Sequence, residues 1–169
     1  MQLRVPDASL VVLVGPSGAG KTTFAAKYFR PTEVISSDRC RELVSDDEND
    51  MSATRGAFRL VRAIARERLR AGKLAVIDAT SVRPESRRPL LTLAVRYGRT
   101  AVAVVFDLPE RLCIERNEQR RHRTVPPSVV HRQWTEMRRS LSALREEGFA
   151  EVYVLDSPEA VDASIIVRA

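Results

Sequence analysis

The apolar run Leu10-Val11-Val12-Leu13-Val14 leads directly into Gly15-Pro16-Ser17-Gly18-Ala19-Gly20-Lys21-Thr22, which satisfies the pattern G-x-x-x-x-G-K-[ST]. Few short stretches restrict a fold so strongly. The run suits a buried strand, the glycines permit a tight loop, and Thr23-Phe24-Ala25-Ala26-Lys27-Tyr28-Phe29 continues in a helix-compatible composition. A strand, a glycine-rich turn and a helix N-terminus in that order aim several backbone N–H groups at one point, a geometry that favours a polyphosphate. Gly15, Ser17, Gly18, Ala19, Gly20, Lys21, Thr22 and Thr23 are therefore expected to cradle the phosphates of ATP. Lys21 is expected to reach the β- and γ-phosphates and Thr22 to ligate Mg²⁺. The alternative is a chance match in a glycine-rich loop, which the flanking strand and helix argue against.

Further apolar, β-branched runs recur at Glu33–Ser36, Leu74–Asp78, Ala101–Phe106 and Val152–Leu155. Continuous apolar strands of this kind are buried on both faces, as in a parallel sheet covered by helices. Helical spacing over residues 52–71 ends at Gly72, and a second helix over 84–97 opens at Pro84 and closes before Gly98. Two more are expected over 109–121 and 126–147, joined by the basic stretch Arg120-Arg121-His122-Arg123-Thr124. The expected fold is α/β: a five-stranded parallel sheet flanked by helices, one domain over residues 1–169, with an arginine-rich helical lid at about 110–139.

Composition adds boundaries rather than identity. The 169 residues suffice for one compact domain, and 44% hydrophobic content is ordinary for a chain with a real core. Lys plus Arg number 28 against 22 acids, a net charge of +6 that suits a polyanionic partner. Cys40 and Cys113 have no metal-ligand spacing and read as reduced, buried thiols. No apolar stretch approaches the roughly 18 residues needed to span a bilayer, and the N-terminus lacks a signal-peptide pattern, so the expectation is a soluble, cytoplasmic protein with no membrane partner. The acidic run Asp46–Asp50 reads as a solvated loop, and His122 and His131 as surface or nucleic-acid-facing residues.

Three segments outside the loop carry candidate chemistry. Ser36-Ser37-Asp38-Arg39-Cys40-Arg41 begins where a strand ends, and ligands of open α/β sheets bind beyond the carboxyl ends of strands. Asp38 is thus placed to orient an acceptor hydroxyl and take its proton, with helix N-capping as the alternative role. Arg41, three residues on, is positioned to pair with Asp38 or hold an acceptor phosphate. Asp78 ends a Walker-B-like strand and either organises Mg²⁺-bound water near Thr22 or begins a turn. Residues 110–139 hold eight arginines against four acids, and Arg116 and Arg120, at i, i+4, are expected to meet the nucleotide phosphates.

V-G-P-S-G-A-G-K-T-T, T-E-V-I-S-S-D-R-C-R with V-S-D-D-E-N-D, V-I-D-A-T, F-D-L-P-E-R-L-C-I-E-R-N and E-G-F-A-E-V-Y-V-L-D-S-P-E together resemble the N-terminal 5′-kinase domain of bacterial polynucleotide kinase-phosphatase, an RNA-repair enzyme. The likeness runs along nearly the whole chain. The resemblance implies ATP·Mg²⁺ at Lys21 and Thr22, a general base at Asp38, an acceptor-site arginine at Arg41 and a lid arginine on the ATP phosphates at Arg116. It also implies an RNA or DNA 5′-hydroxyl end as partner, and covalently linked phosphatase and ligase-like modules in the full-length protein. Since those modules have no room in this chain, it is expected to be either an excised domain or a stand-alone relative, with the apolar end Ile165-Ile166-Val167-Arg168-Ala169 favouring excision. Rival readings are a small-molecule kinase acting on a sugar or nucleoside, and an ATP-binding module that transfers nothing.

Overall fold

The computed structural model describes residues 1–169. Five strands, β2 (Leu10–Val14), β3 (Val34–Ser36), β4 (Ala75–Asp78), β5 (Ala101–Phe106) and β6 (Glu151–Leu155), form one parallel sheet in the order β3-β4-β2-β5-β6. All residues of β2, β4 and β5 are buried, which is why these strands read as unbroken apolar runs. Alternate side chains enter opposite layers. Leu10, Val12 and Val14 join Ala57, Val61, Ala65 and Leu69 on one face, while Val11 and Leu13 join Phe24, Ala25 and Phe106 on the other.

Helix α1 (Lys21–Tyr28) follows the central strand β2 through the glycine loop. Helix α2 (Ser37–Ser45) follows β3, and its N-cap is Ser36, whose Oγ accepts from the Arg39 N–H at 3.2 Å. The capping role considered for Asp38 therefore belongs to Ser36, and Asp38 lies in the helix's first turn. Helices α3 (Thr54–Arg70), preceded by a short 3₁₀ turn at Met51–Ala53, and α4 (Pro84–Arg96) match the expected segments closely.

The structure departs from expectation in three places. The first helix of the arginine-rich segment, α5 (Glu110–Glu118), ends three residues early. The second, α6 (Pro127–Ser140), stops well before 147, and a separate 3₁₀ turn covers Ala143–Glu146. There Glu147 pairs with Arg87 of α4, which is fully buried and donates from Nε at 2.7 Å as well as from Nη2. Finally, β1 (Gln2–Val5) and β7 (Ile165–Arg168) form a second, two-stranded parallel sheet, and α7 (Pro158–Asp162) precedes β7. Both cysteines are free and buried, as expected. No helix is long and apolar enough to cross a membrane.

Candidate active site

The sheet's parallel strands deliver the glycine loop, Asp38 and Asp78 to the same edge. Ser36 and Asp78 are register partners on β3 and β4, so the start of α2 and the end of β4 adjoin. An open cleft of about 560 Å³ lies there, lined chiefly by polar and charged side chains. Ser17, Gly18, Gly20, Lys21, Thr22 and Thr23 line it from the loop and α1, Asp38 and Arg41 from α2, Asp78 from β4, and Arg116 and Arg120 from the α5 side.

Gly15 and Ala19, expected in the cradle, do not line the cleft. The Gly15 N–H donates to the Thr80 carbonyl beyond β4 at 2.9 Å, and the Ala19 N–H to the Pro16 carbonyl within the loop at 3.2 Å, so both amides are already engaged. Gly18 and Gly20 have φ +81° and +90°, where side-chain-bearing residues are strained. At Gly18 an added Cβ would also overlap the Cys113 carbonyl, because the first turns of α5 pack directly on the loop's apex.

Lys21 is buried and donates to the carbonyls of Gly15 and Pro16 at 2.9 and 2.8 Å. Burial lowers its pKa to about 8, against the opposing attraction of Asp78. The same burial raises Asp78, partly offset by Lys21 and by the Thr22 hydroxyl, which donates to Asp78 Oδ2 at 2.8 Å. A hydroxyl and a carboxylate already in contact beside the phosphate loop are hard oxygen donors of the type Mg²⁺ takes. The residues fit that ion, and Asp78, at the end of its strand, stands in contact with Thr22.

Asp38 is the centre of a cationic cluster. Arg41 Nη1 donates to Asp38 Oδ1 at 2.9 Å, Arg123 Nη1 pairs with the same oxygen, and Arg120 Nη2 lies 3.8 Å from Oδ2. Arg120, expected on the nucleotide, thus sits at the boundary with the Asp38 side. Arg116 does lie over the helix N-terminus: its Nη1 would be 3.8 Å from a Cβ on Gly20.

The expected lid divides into fixed and connecting parts. Val130 and Met137 of α6 are fully buried, Trp134 Nε1 donates to the Leu108 carbonyl at 3.0 Å, and Arg138 grips both oxygens of Asp107 at 2.9 Å. Buried Asn117 braces the connection by exchanging hydrogen bonds with the Val125 backbone at 2.7 and 3.2 Å. Helix α6 also contributes Gln133, whose Oε1 accepts from the Ser17 N–H at 2.8 Å. Sequence reasoning missed Arg123 and Gln133, for neither stands at a motif spacing. His131 is an exposed partner of Glu110, at 2.7 Å. The acidic run is more than a solvated loop: the Glu48 carbonyl accepts from Arg41 and Arg123, and Asp50 caps the 3₁₀ turn through the Ser52 N–H.

Residues 10–144 match the family AAA_33, described as an AAA domain. The chain belongs to that family. In curated sequence, this AAA domain is 31% identical over 111 residues to the transcription factor bHLH140 of Arabidopsis thaliana, covering 66% of this chain and 11% of that protein. Among solved structures, it is similar to the AvrRxo1-ORF1:AvrRxo1-ORF2 complex with ATP (TM-score 0.70, 16% identity, 89% of this chain and 55% of that one). It is also similar to a gluconokinase from Sinorhizobium meliloti 1021 (TM-score 0.58, 17% identity, 94% and 87%). The AAA domain thus spans about half the AvrRxo1 chain and about a tenth of bHLH140. Its fold is that of the P-loop kinases.

Proposed function

We propose that this domain is an ATP-dependent phosphotransferase that moves the γ-phosphate of ATP to the 5′-hydroxyl end of RNA or DNA in nucleic-acid end repair. The observation that carries the reading is Asp38, a carboxylate beside the phosphate loop, ringed by arginines that suit an acceptor bearing its own phosphates. The phosphate-binding groups, Lys21 and the N-terminus of α1 with Arg116 above it, line the same cleft. Linked phosphatase and ligase-like modules belong to the same reading.

In the reaction, Asp38 orients the 5′-hydroxyl and accepts its proton as the new O–P bond forms and the bond between γ-phosphorus and the β–γ bridging oxygen breaks, leaving ADP. Lys21 exchanges its loop carbonyls for phosphate oxygens, and Arg116 adds a planar fork to the transferring group. Thr22 and Asp78 would hold Mg²⁺, which supplies charge neutralisation on the phosphates. Catalysis is then mostly positioning and electrostatics, with α5 and α6 restricting water.

A second reading, a kinase of small alcohols such as sugars or nucleosides, draws on the fold shared with gluconokinase. Incubation with γ-labelled ATP and a panel of 5′-hydroxyl oligonucleotides, free nucleosides and gluconate separates the two. Labelled oligonucleotides with unlabelled small alcohols are expected; the converse refutes the polynucleotide reading. ATP bound without transfer to any acceptor would favour a non-catalytic module. Asp38→Asn should keep ATP affinity and lower transfer by about 10²–10⁴-fold, and near-normal turnover would remove Asp38 from the mechanism.

A further inference from the structure

Helix α3 leads away from the cleft. Thr54 and Phe58, in its first turns, line the cleft, while near its other end Arg68 Nε donates to the Leu74 carbonyl at 2.7 Å, just before β4 begins. The helix therefore runs from the carboxyl ends of the strands to the opposite edge of the sheet. It buries Ala57, Val61, Ala65 and Leu69. Beside that stripe Arg55, Arg59, Arg62, Arg66 and Arg70 fall within an arc of about 80° at 3.6 residues per turn, and all but the half-buried Arg62 are exposed. The ridge Thr54, Phe58, Arg62, Arg66, spaced i, i+4, starts in the cleft and winds out onto this row.

Nothing in the chain neutralises the half of the row nearer the cleft. The helix carries six arginines and a single acid, Glu67, which pairs with Arg66 and Arg70 at 3.1 and 2.9 Å. The side chains of Arg55, Arg59 and Arg62 make no hydrogen bond and no ion pair. The acids just before the helix are taken up by their own turns, Asp47 accepting from the Asn49 N–H at 2.8 Å and Asp50 from the Ser52 N–H at 2.9 Å. This arrangement works against the helix, since like charges at i, i+3 and i, i+4 repel, and Arg55 stands in a first turn without an acid, at the positive end of the helix dipole. A face that had only to stay in water would do better with both signs. A polyanion lying along the row removes the repulsion.

We infer that the arginine row of α3 is a track for the body of a nucleic-acid strand, holding its phosphodiester backbone by charge after the strand leaves the cleft. This rests on the polynucleotide reading above and extends it from the reacting end to the strand behind it. From Arg55 to Arg66 the helix rises about 16 Å, the span of roughly four or five phosphates of a stacked strand at about 3.4 Å each. Contacts of this kind position a backbone and read no bases, so the track is indifferent to sequence. Its effect is on length. An acceptor of three nucleotides is held by the cleft alone, whereas a longer one gains the row.

The test uses the full chain, a non-hydrolysable ATP analogue and fluorescent strands of three and twelve nucleotides with a 5′-deoxy end, which bind without turnover. Wild-type protein should bind the longer strand at least tenfold more tightly. The triple variant Arg55→Gln/Arg59→Gln/Arg62→Gln should lose that gain, and its log–log salt dependence on the longer strand should be shallower by about 2, as expected when three phosphate contacts to a single strand are removed. A control of equal charge, Arg4→Gln/Arg30→Gln/Arg145→Gln, takes exposed arginines from other elements and should keep the gain. A gain retained in the α3 variant, or lost equally in the control, would overturn the track. Polyglutamate that binds wild-type protein as tightly as the longer strand, with the same loss in the α3 variant, would overturn its assignment to nucleic acid. Wild-type protein that phosphorylates 5′-hydroxyl ends but binds both lengths alike would sink the track and leave the end-kinase reading; protein that binds the longer strand through the row but phosphorylates no end would do the reverse.

Discussion

Lys21 makes ATP binding a proton-linked event. Its ammonium is buried against the Gly15 and Pro16 carbonyls, and its pKa is lowered to about 8. Polyphosphate placed against it favours the charged form and restores a value well above that. The complex therefore holds more protons than the free domain, so affinity must fall as pH rises through the free-site value. With a free-site value of about 8 and a much higher bound one, apparent affinity at pH 9 should be about tenfold below that at pH 7, or roughly 1.4 kcal/mol. Proton uptake per ATP should rise from about 0.1 at pH 7 through about 0.5 at pH 8 to about 0.9 at pH 9. The Cys113 thiol, pushed up to about 11 by burial, stays clear of this window. Titration calorimetry in two buffers of different ionisation enthalpy reads the uptake directly, and Lys21→Arg, always charged, should abolish it. Affinity flat from pH 7 to 9 with no proton uptake would refute the reasoning.

Gly18→Ala should reduce nucleotide affinity at least tenfold and lower Tm, since a Cβ at φ +81° meets the Cys113 carbonyl and the loop and α5 cannot both stay in place; unchanged ATP binding by calorimetry would contradict this contact. Arg87→Met should destabilise by about 3–5 kcal/mol in urea unfolding, because it strips Glu147 and the Ser81 carbonyl of a fully buried partner. A change under about 1 kcal/mol would show that the pair is dispensable. Arg116→Ala should depress kcat at saturating oligonucleotide, and Arg116→Lys should rescue little, since a point charge does not reproduce a planar fork; full rescue by lysine in steady-state kinetics would count against a bidentate contact.

What was legible in the sequence followed burial. The strands β2, β4 and β5 are covered on both faces and announce themselves as apolar runs. The strands β1 and β7 are partly exposed and four residues long each, too short for a periodic signal, and their partnership spans the chain. Asp38, Arg41, Asp78 and the glycine loop were readable because each lies at a strand's end or one helical turn beyond it. Arg123 was not, because its contact with Asp38 and the Glu48 carbonyl depends on how two irregular loops close, and Arg87 looked like any surface arginine of an amphipathic helix until Glu147 folded over it. The helix expected to run to 147 reflects the same limit: helical composition continues past Ser140, but the turn that delivers Glu147 to Arg87 interrupts it.

The small sheet formed by β1 and β7 bears on the order in which the molecule assembles. Its register joins Gln2 to Ile165 and Val5 to Arg168, so the pairing closes a loop that contains the whole five-stranded sheet. The entropy lost in closing so long a loop must be met before its few hydrogen bonds return anything. By contrast, β2 and β4 are brought together through segments whose own helices pack as they form. This pair is therefore expected to dock late, and amide hydrogen exchange should find its ladder less protected than that of β2 and β5. Yet Leu3 and Val5 are fully buried beside Phe24, Phe29 and Leu155, in the layer that also holds α1 against the sheet. A late-forming clasp thus sets how firmly the helix bearing Lys21 and Thr22 is seated.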